Sequence, residues 1–417
     1  RVTGHRRIGI IAPEHSAVAS MGPREKGIDH MSKQTTRREV LKGGAALAGL
    51  GALGFPQWGL PALAQGETLV EFTDLPDEIV LERTPDRRII EVRDIDGPIT
   101  PANKWFTTQH YGHPAVDRAT YRLRVSGMVD SPLELSLADL RAMPSRELVF
   151  GFECSGNRGP QNGLSSNGRW TGVSLRTVLE RAGIQDAASE FVFFGADRGE
   201  EEVNFRGRTT TVEQQYGRSL RRHVALSDEP MLAYGLNGDP LTVHQGSPLR
   251  LLVPGWYGAP NVKFLSEVHV QEDQYLGKYQ THWYRTLKGQ MINGEMKWVE
   301  TAISKMRLKS YIARVTKMGN QHKVFGVIMH DGTPIESVEV RIDDGPWQAA
   351  TLDPSTSEKY SWKFFSYDWM GATPGEHTVT SRATDTSGYV QPTSEELEVK
   401  KTFLEQNNQH PRTLVIT

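Results

Sequence analysis

Cysteine is almost absent from this chain of 417 residues, which contains one, Cys154. A single thiol excludes an internal disulfide and also excludes the C-x-x-C-H attachment of a c-type haem. Cys154 lies in the segment F-E-C-S-G-N-R-G, where an apolar run gives way to residues typical of a tight turn. The thiol is therefore either a small buried hydrophobic side chain or a nucleophile or soft metal ligand beside Arg158. The residue pattern alone leaves these alternatives open.

Long uninterrupted hydrophobic runs are also missing. Residues 43–64 are apolar and rich in glycine and alanine, but Pro56, Gln57 and Pro61 interrupt them. Such a run is too short and too weakly apolar to span about 30 Å of hydrocarbon. No membrane anchor is therefore expected.

Paired arginines precede that run, in T-R-R-E-V-L-K at residues 36–42. A charged start, a soft apolar stretch and the small-residue site A-L-A at residues 62–64 are typical of a twin-arginine (Tat) export signal. We expect residues 31–64 to be this signal and residues 1–30 to be an upstream extension, with translation starting at Met31 or Met21. The expected location is the periplasm.

Strong positive charge is absent as well. Without residues 1–64, the chain has 39 basic and 46 acidic residues, a net charge of about −7. Nucleic acid and anionic membranes are therefore poor partners for this chain.

The remaining residues predict two domains. Residues 65–303 mix short strands with a few helices, such as a strand over residues 121–127 and helices starting near Ser136 and Ser174. From residue 304 to residue 417, alternating strands are separated by turn residues at the intervals of a β-sandwich. We predict an α+β catalytic domain followed by an immunoglobulin-like β-sandwich.

Several segments together resemble the sulfite oxidase family of molybdenum–pterin enzymes, over about residues 85–400 and in collinear order. They are K-W-F-T-T-Q-H at 104–110, the F-E-C-S-G-N-R segment, W-T-G-V-S-L at 170–175 and P-G-W-Y-G-A-P-N-V-K at 254–263. The resemblance implies a sulfite-oxidase-type molybdopterin-binding domain, with the sandwich as a dimerisation domain. It also implies one molybdenum–molybdopterin per chain. No haem is expected in this chain, because it has no C-x-x-C-H motif and no stretch of haem-domain size between the leader and the molybdenum domain.

The resemblance assigns roles to individual residues. Cys154 corresponds to the thiolate that binds molybdenum, and the expected cofactor-binding residues are His110, Cys154, Asp197, Arg250 and Lys263. Phosphate on a pterin favours charge-assisted donors such as arginine and lysine. Arg158 either stabilises negative charge on the oxidised sulfur or is a structural arginine of the turn.

The chain also departs from the family. Thr108, Gly159 and Leu287 stand where sulfite oxidases have arginine, arginine and tyrosine, and a further arginine segment has no counterpart after residue 391. A family histidine is replaced by Gln245, with His244 one position early. Because a small oxyanion needs several arginines, these losses predict a less anionic substrate.

The segments T-T-Q-H-Y-G-H-P at 107–114 and G-R-W-T-G-V-S-L at 168–175 resemble the molybdenum subunits of sulfane dehydrogenase (SoxC). That branch implies a persulfide on a sulfur carrier protein as substrate, a c-type cytochrome subunit as electron acceptor, and a homodimer formed through the C-terminal domain. The alternatives are a sulfite dehydrogenase, a reductase of the same broad family, and a non-catalytic Ig-like binding protein. The last would leave the export signal and the Cys154 turn unexplained.

Overall fold

The computed structural model of the protein describes residues 63, 66–76 and 79–417, without the side chain of Arg83. The predicted extension 1–30 and, apart from residue 63, the predicted export signal 31–64 lie outside the described residues. Both stay predictions. Within the described residues, no helix combines the length and apolar character needed to cross a membrane.

Strands dominate the described part of the chain. The first twelve are β1 Thr68–Val70, β2 Glu82–Thr84, β3 Arg87–Arg88, β4 Thr107–Thr108, β5 Leu123–Gly127, β6 Leu133–Leu135, β7 Ser145–Glu153, β8 Ser165–Ser174, β9 Glu190–Phe205, β10 Arg208–Arg221, β11 Met231–Leu236 and β12 Asp239–Pro240. The next twelve are β13 Arg250–Leu252, β14 Leu265–Gln271, β15 Arg285–Ile292, β16 Glu295–Ala302, β17 Lys309–Met318, β18 Gln321–Met329, β19 Ile335–Ile342, β20 Gln348–Ala349, β21 Thr351–Leu352, β22 Lys363–Trp369, β23 Gly375–Asp385 and β24 Arg412–Ile416.

Helices are short by comparison. The α-helices of the described residues are α1 Leu137–Arg141, α2 Leu175–Ala182, α3 Arg222–Ala225 and α4 Lys278–Thr281. The described fold is therefore mostly β, with less helix than the predicted α+β class implies. None of these helices exceeds eight residues, a length at which packing rather than propensity supplies the stability.

Local signals in the sequence place two of these helices correctly. Ser136 caps α1: its hydroxyl accepts from the Asp139 amide at 3.1 Å, and Asp139 accepts in return from the Ser136 amide at 2.9 Å. This reciprocal pairing satisfies two backbone donors at the helix start. Helix α2 follows Ser174 and ends at Gly183, whose φ of 70° favours glycine.

Two sheets carry the N-terminal part of the fold. One has the order β10-β9-β14-β5-β6, and the other has the order β12-β11-β8-β7 with β13 paired to β11. Strands β5 and β14 pair in parallel, and the other pairs in these sheets are antiparallel. Their buried faces enclose a core that also contains the apolar face of α2.

The C-terminal part consists of two antiparallel sheets, β1-β17-β18-β22-β21 and β20-β19-β23-β24. They share a core of aliphatic and aromatic side chains, which include Ile312, Val324, Phe365 and Val379. This arrangement agrees with the predicted sandwich, whereas its immunoglobulin-like character and its role in dimerisation stay predictions. Strand β1 pairs with β17. A segment that precedes residues 79–303 in the sequence therefore belongs to one of the two C-terminal sheets.

A third core crosses the predicted boundary at residue 303. Phe150 and Phe152 of β7 and Trp170 of β8 share it with Tyr311 of β17 and Trp362. Such a shared apolar core restrains the two parts against each other. The boundaries 65–303 and 304–417 themselves stay predictions.

A buried ion pair joins the same two parts. The Lys309 Nζ of β17 lies 2.9 Å from Glu153 Oε1 at the end of β7, and both side chains are almost fully buried. Lys309 also donates to the backbone carbonyl of Asn157 at 3.2 Å, and the side-chain Nδ2 of Asn157 donates to Glu153 Oε1 at 3.2 Å. Burial raises the pKa of Glu153, and the charge of Lys309 opposes that rise.

We expect Lys309→Met to lower the free energy of unfolding by about 3–5 kcal/mol, because it leaves the Glu153 carboxylate buried without its cation. The exposed pair of Lys323 and Asp368, at 3.2 Å, offers a matched control: Lys323→Met should cost less than about 1 kcal/mol. Urea unfolding of Lys309→Met, Lys323→Met, Glu153→Gln and the double variant Lys309→Met with Glu153→Gln measures these losses and the coupling between Glu153 and Lys309. Equal, small losses for Lys309→Met and Lys323→Met would contradict the assignment.

Candidate active site

Cys154 follows directly after β7 and is held by backbone hydrogen bonds on both sides. Its amide donates to the Leu164 carbonyl at 2.9 Å, its carbonyl accepts from the Asn157 amide at 2.8 Å, and the Gly258 amide donates to the preceding carbonyl of Glu153 at 2.7 Å. The thiol is half-buried and lines a pocket. Burial raises the pKa of Cys154, although a backbone hydrogen bond at Gly156 opposes the rise. A coordinated metal would favour the thiolate instead.

The pocket, which opens to solvent, has about 650 Å³ of empty space and brings together five of the six predicted site residues. Its lining is Trp105, Phe106, Thr107, Thr108, Gln109, His110, Phe152, Cys154, Asp197, Tyr216, His244, Arg250, Gly258, Ala259, Asn261, Lys263 and Tyr284. The size and the mixture of apolar walls with a few polar groups are typical of a cofactor pocket.

Arg158 is the predicted site residue that is not in this lining. Its side chain is exposed, and its guanidinium lies 4.8 Å from the centre of the Phe403 ring. Stacking of this kind is a structural use of arginine. The predicted role of Arg158 in stabilising charge therefore stays a prediction.

Arg250 is a buried cationic side chain in the wall of this pocket. Its two terminal nitrogens donate to the carbonyl groups of Gln245 and Asn261, at 2.8 and 2.9 Å, and its guanidinium lies over the rings of Phe152 and Trp170. Burial lowers the pKa of Arg250 to about 9. The Nε atom is buried without a partner among the described residues, so one donor remains for a ligand.

Lys263 lies against the K-W-F-T-T-Q-H segment at residues 104–110. Its Nζ donates to Thr107 Oγ1, to the Thr108 carbonyl and to Gln109 Oε1, at 3.2, 3.2 and 2.7 Å. Burial, followed by the charge of Arg250, lowers the pKa of Lys263 to about 7. Gly246, with φ of 96°, leaves room for the lysine stem, which a Cβ there would approach to 2.6 Å.

Asp197 adds a carboxylate to the same pocket. It is buried, and its Oδ1 has no partner among the described residues. Burial raises the pKa of Asp197 to about 6. A polar atom in that state requires a donor from a ligand or from water.

His110 belongs to an aromatic cluster at the pocket wall. Its Nε2 lies 2.8 Å from the hydroxyl of Tyr284, and its ring centre lies 4.5 Å from that of Tyr279. Burial, followed by the charges of Lys278 and Lys263, lowers the pKa of His110 to about 4. The imidazole is therefore neutral at neutral pH, which fits an anchoring role better than a cationic one.

Tyr284 was not identified from the sequence. The resemblance placed the tyrosine position at Leu287, which lies on β15 outside the pocket lining, and it indicated that the hydroxyl was lost. The described pocket contains a tyrosine hydroxyl three residues earlier, because the chain reaches the pocket between α4 and β15. The aromatic run T-H-W-Y at residues 281–284 was the available signal.

Arg87 is a second residue that the sequence did not indicate. It pairs with Thr108 across β3 and β4, and its charge is among the causes that favour the thiolate of Cys154. Strand pairing therefore places the exposed side chain of Arg87 beside Thr108, the position at which sulfite oxidases have an arginine. Nothing in the local sequence around Arg87 shows this proximity.

The residues present fit a phosphate-bearing, metal-binding cofactor. Buried nitrogens of Arg88, His113, His244 and Arg250 have no hydrogen-bond partner among the described residues, and such donors suit phosphate and pterin oxygens. No three histidine, cysteine or acidic side chains are grouped as a metal site in the described part of the chain. A metal bound by Cys154 would therefore take its other ligands from non-protein donors.

Comparison with known proteins agrees with this geometry. The model of the oxidoreductase molybdopterin binding domain matches residues 110–279. Mouse mitochondrial sulfite oxidase is 28% identical over 329 residues, which are 71% of this chain and 58% of that protein. Chicken sulfite oxidase is 36% identical over 204 residues, 45% of this chain and 42% of that protein.

The chain resembles the sulfite oxidase family. The matched region, residues 110–279, contains all five predicted site residues that line the pocket: His110, Cys154, Asp197, Arg250 and Lys263. The chain spans between about two fifths and three fifths of the length of these two relatives.

A solved structure shows the same fold over most of the chain. The sulfane dehydrogenase SoxCD from Paracoccus pantotrophus matches with a TM-score of 0.66 and 23% identity, over 88% of this chain and 94% of the matched chain. At that identity the likeness concerns the fold.

We expect purified protein to contain one pterin and one molybdenum per chain. Lys263→Met should lower the retained pterin about tenfold or more, because it removes charge-assisted hydrogen bonds of about 1.5–3 kcal/mol each. Lys305→Met is the matched control, since Lys305 is exposed and lies outside the pocket lining. Pterin fluorescence after release and elemental analysis measure both quantities. Full pterin retention in Lys263→Met would contradict the role of Lys263.

Proposed function

We propose that this protein is a periplasmic molybdenum oxidoreductase that oxidises sulfane sulfur. Its substrate would be a persulfide on a sulfur carrier protein, and its electron acceptor would be a c-type cytochrome. The observation that carries the proposal is the cation content of the pocket lining, which contains one arginine, Arg250, and one lysine, Lys263. Arg250 directs two of its donors to backbone carbonyl groups, so a small free oxyanion lacks an arginine fork there.

Two positions support this interpretation. Thr108 lines the pocket where the resemblance places an arginine. Gly159 is exposed, has φ of 75°, and has no heavy atom within 4 Å of the position of a Cβ. An arginine side chain would be strained in that backbone conformation. A persulfide on a carrier does not need this clamp, because contact between the proteins supplies the positioning.

Each two-electron step would convert R–S–S⁻ and water into R–S–SO⁻, two protons and two electrons. When bound, the molybdenum–pterin group supplies the redox chemistry of this step. Cys154 would hold the metal, and Arg250, Lys263 and Asp197 would hold and orient the pterin. Arg87, whose charge acts on Cys154, would stabilise negative charge on the oxidised sulfur, and the hydroxyl of Tyr284 would be oriented by its 2.8 Å hydrogen bond to His110.

Sulfite oxidation is the second candidate function. Two specific observations favour it: the hydroxyl of Tyr284 lies in the pocket, and Arg87 pairs with Thr108 at the pocket wall. One arginine and one tyrosine would still make a weaker site for sulfite than the arginine set of the family.

Turnover of the two substrates distinguishes these functions. We expect sulfite to have a kcat/KM at least about a hundredfold below that of a sulfur-loaded carrier, since each missing charge-assisted hydrogen bond is worth about 1.5–3 kcal/mol. Thr108→Arg should raise kcat/KM for sulfite about tenfold, and Thr108→Met, of similar length without charge, should not. Reduction of a c-type cytochrome is the measurement. Wild-type protein that oxidises sulfite as efficiently as the loaded carrier would favour the sulfite dehydrogenase alternative.

We also propose that the C-terminal sandwich forms a homodimer. Its surface keeps large apolar side chains exposed, among them Met318, Met370 and Val390, and exposed apolar area is a feature of homodimer interfaces. Light scattering on the exported protein should give about twice the chain mass at micromolar concentration. A monomer at that concentration would contradict the prediction.

A further inference from the structure

One aromatic side chain connects the pocket with the protein surface. Trp283 is 54% exposed, and its ring meets that of His110 edge to face, with centres 5.8 Å apart. His110 lines the pocket, whereas Trp283 does not. Among the described rings that contact the pocket lining, Trp283 is the one with more than half of its area exposed.

The surroundings hold this indole in place. The Nζ of Lys278 lies 5.2 Å from the centre of the Trp283 ring and forms an ion pair with Glu201. Glu201 also accepts hydrogen bonds from the hydroxyls of Tyr111 and Tyr279, at 2.5 and 2.9 Å. A surface tryptophan with this support presents a large, ordered contact area, as interface hot spots do.

We propose that Trp283 is the point at which electrons leave the chain, and that a c-type cytochrome docks over it. This inference rests on the proposed function, which supplies two electrons per sulfur step. They would pass singly by way of His110 and Trp283, reducing two ferric haems to the ferrous state. The two protons of the same step go to solvent. Close ring contacts shorten the gap that an electron must tunnel between the pocket and a docked haem edge.

Charge favours the same partner. Without residues 1–64 the chain has 39 basic and 46 acidic residues, a net charge of about −7, so its surface as a whole is acidic. An acidic surface around an apolar anchor complements a cytochrome with basic residues around its haem edge.

A second exposed ring near Cys154 is the main competitor. Phe403 is 57% exposed, and the missing Cβ position of Gly156 lies 3.8 Å from both Phe403 Cε2 and Cys154 Sγ. Phe403 contacts the guanidinium of Arg158, whereas Trp283 contacts the ring of His110 in the pocket lining. Trp298 on β16 is a matched control for Trp283: it is 53% exposed and lies outside the pocket lining.

The test compares Trp283→Ala, Trp283→Phe, Trp298→Ala and Phe403→Ala in the cofactor-loaded, full-length protein. Two readouts are needed: the dissociation constant for an oxidised, basic c-type cytochrome, measured by calorimetry, and the ratio of cytochrome reduction to ferricyanide reduction. We expect Trp283→Ala to weaken cytochrome binding about 30-fold, the loss typical of a tryptophan hot spot, and to lower the ratio. Trp283→Phe should retain most of both, and Trp298→Ala should match wild type.

Wild-type values of both readouts in Trp283→Ala would overturn the inference, as would an equal loss in Trp298→Ala. A loss in Phe403→Ala without one in Trp283→Ala would move the exit to Phe403 and overturn it too. Failure of the proposed function looks different, because the wild-type protein would then reduce neither ferricyanide nor cytochrome when given the sulfur-loaded carrier.

Discussion

The buried ion pair between Glu153 and Lys309 is the interaction on which the rest of the site depends. Glu153 ends β7 immediately before Cys154, and Lys309 begins β17 in the C-terminal sheets. A charge pair removed from water is stable only when both partners and their remaining hydrogen bonds are in place. Lys309, which is 155 positions after Cys154 in the chain, therefore holds the turn that presents the thiol. The side-chain amide of Asn157 supports the same turn through its hydrogen bond to Glu153.

Burial is also the common cause behind the electrostatics of the pocket. It lowers the pKa of Arg250 to about 9 and that of Lys263 to about 7, and it raises that of Asp197 to about 6. Each group thus lies closer to its neutral form than it would in water. An anionic group such as phosphate would favour the charged forms of the arginine and the lysine. The pocket is consequently better suited to a buried, charged cofactor than to water alone.

The sequence by itself determined the local features and the resemblance that depends on them. Capping at Ser136, the helix end at Gly183 and the turn after β7 follow from backbone preferences within a few residues, and five site residues followed from the family motifs. Tertiary structure alone decided the placement of Tyr284, Arg87 and Arg158. Strand pairing brings Arg87 opposite Thr108, and chain direction between α4 and β15 brings Tyr284 to His110. These contacts join residues more than 20 positions apart, and no local pattern encodes such distances.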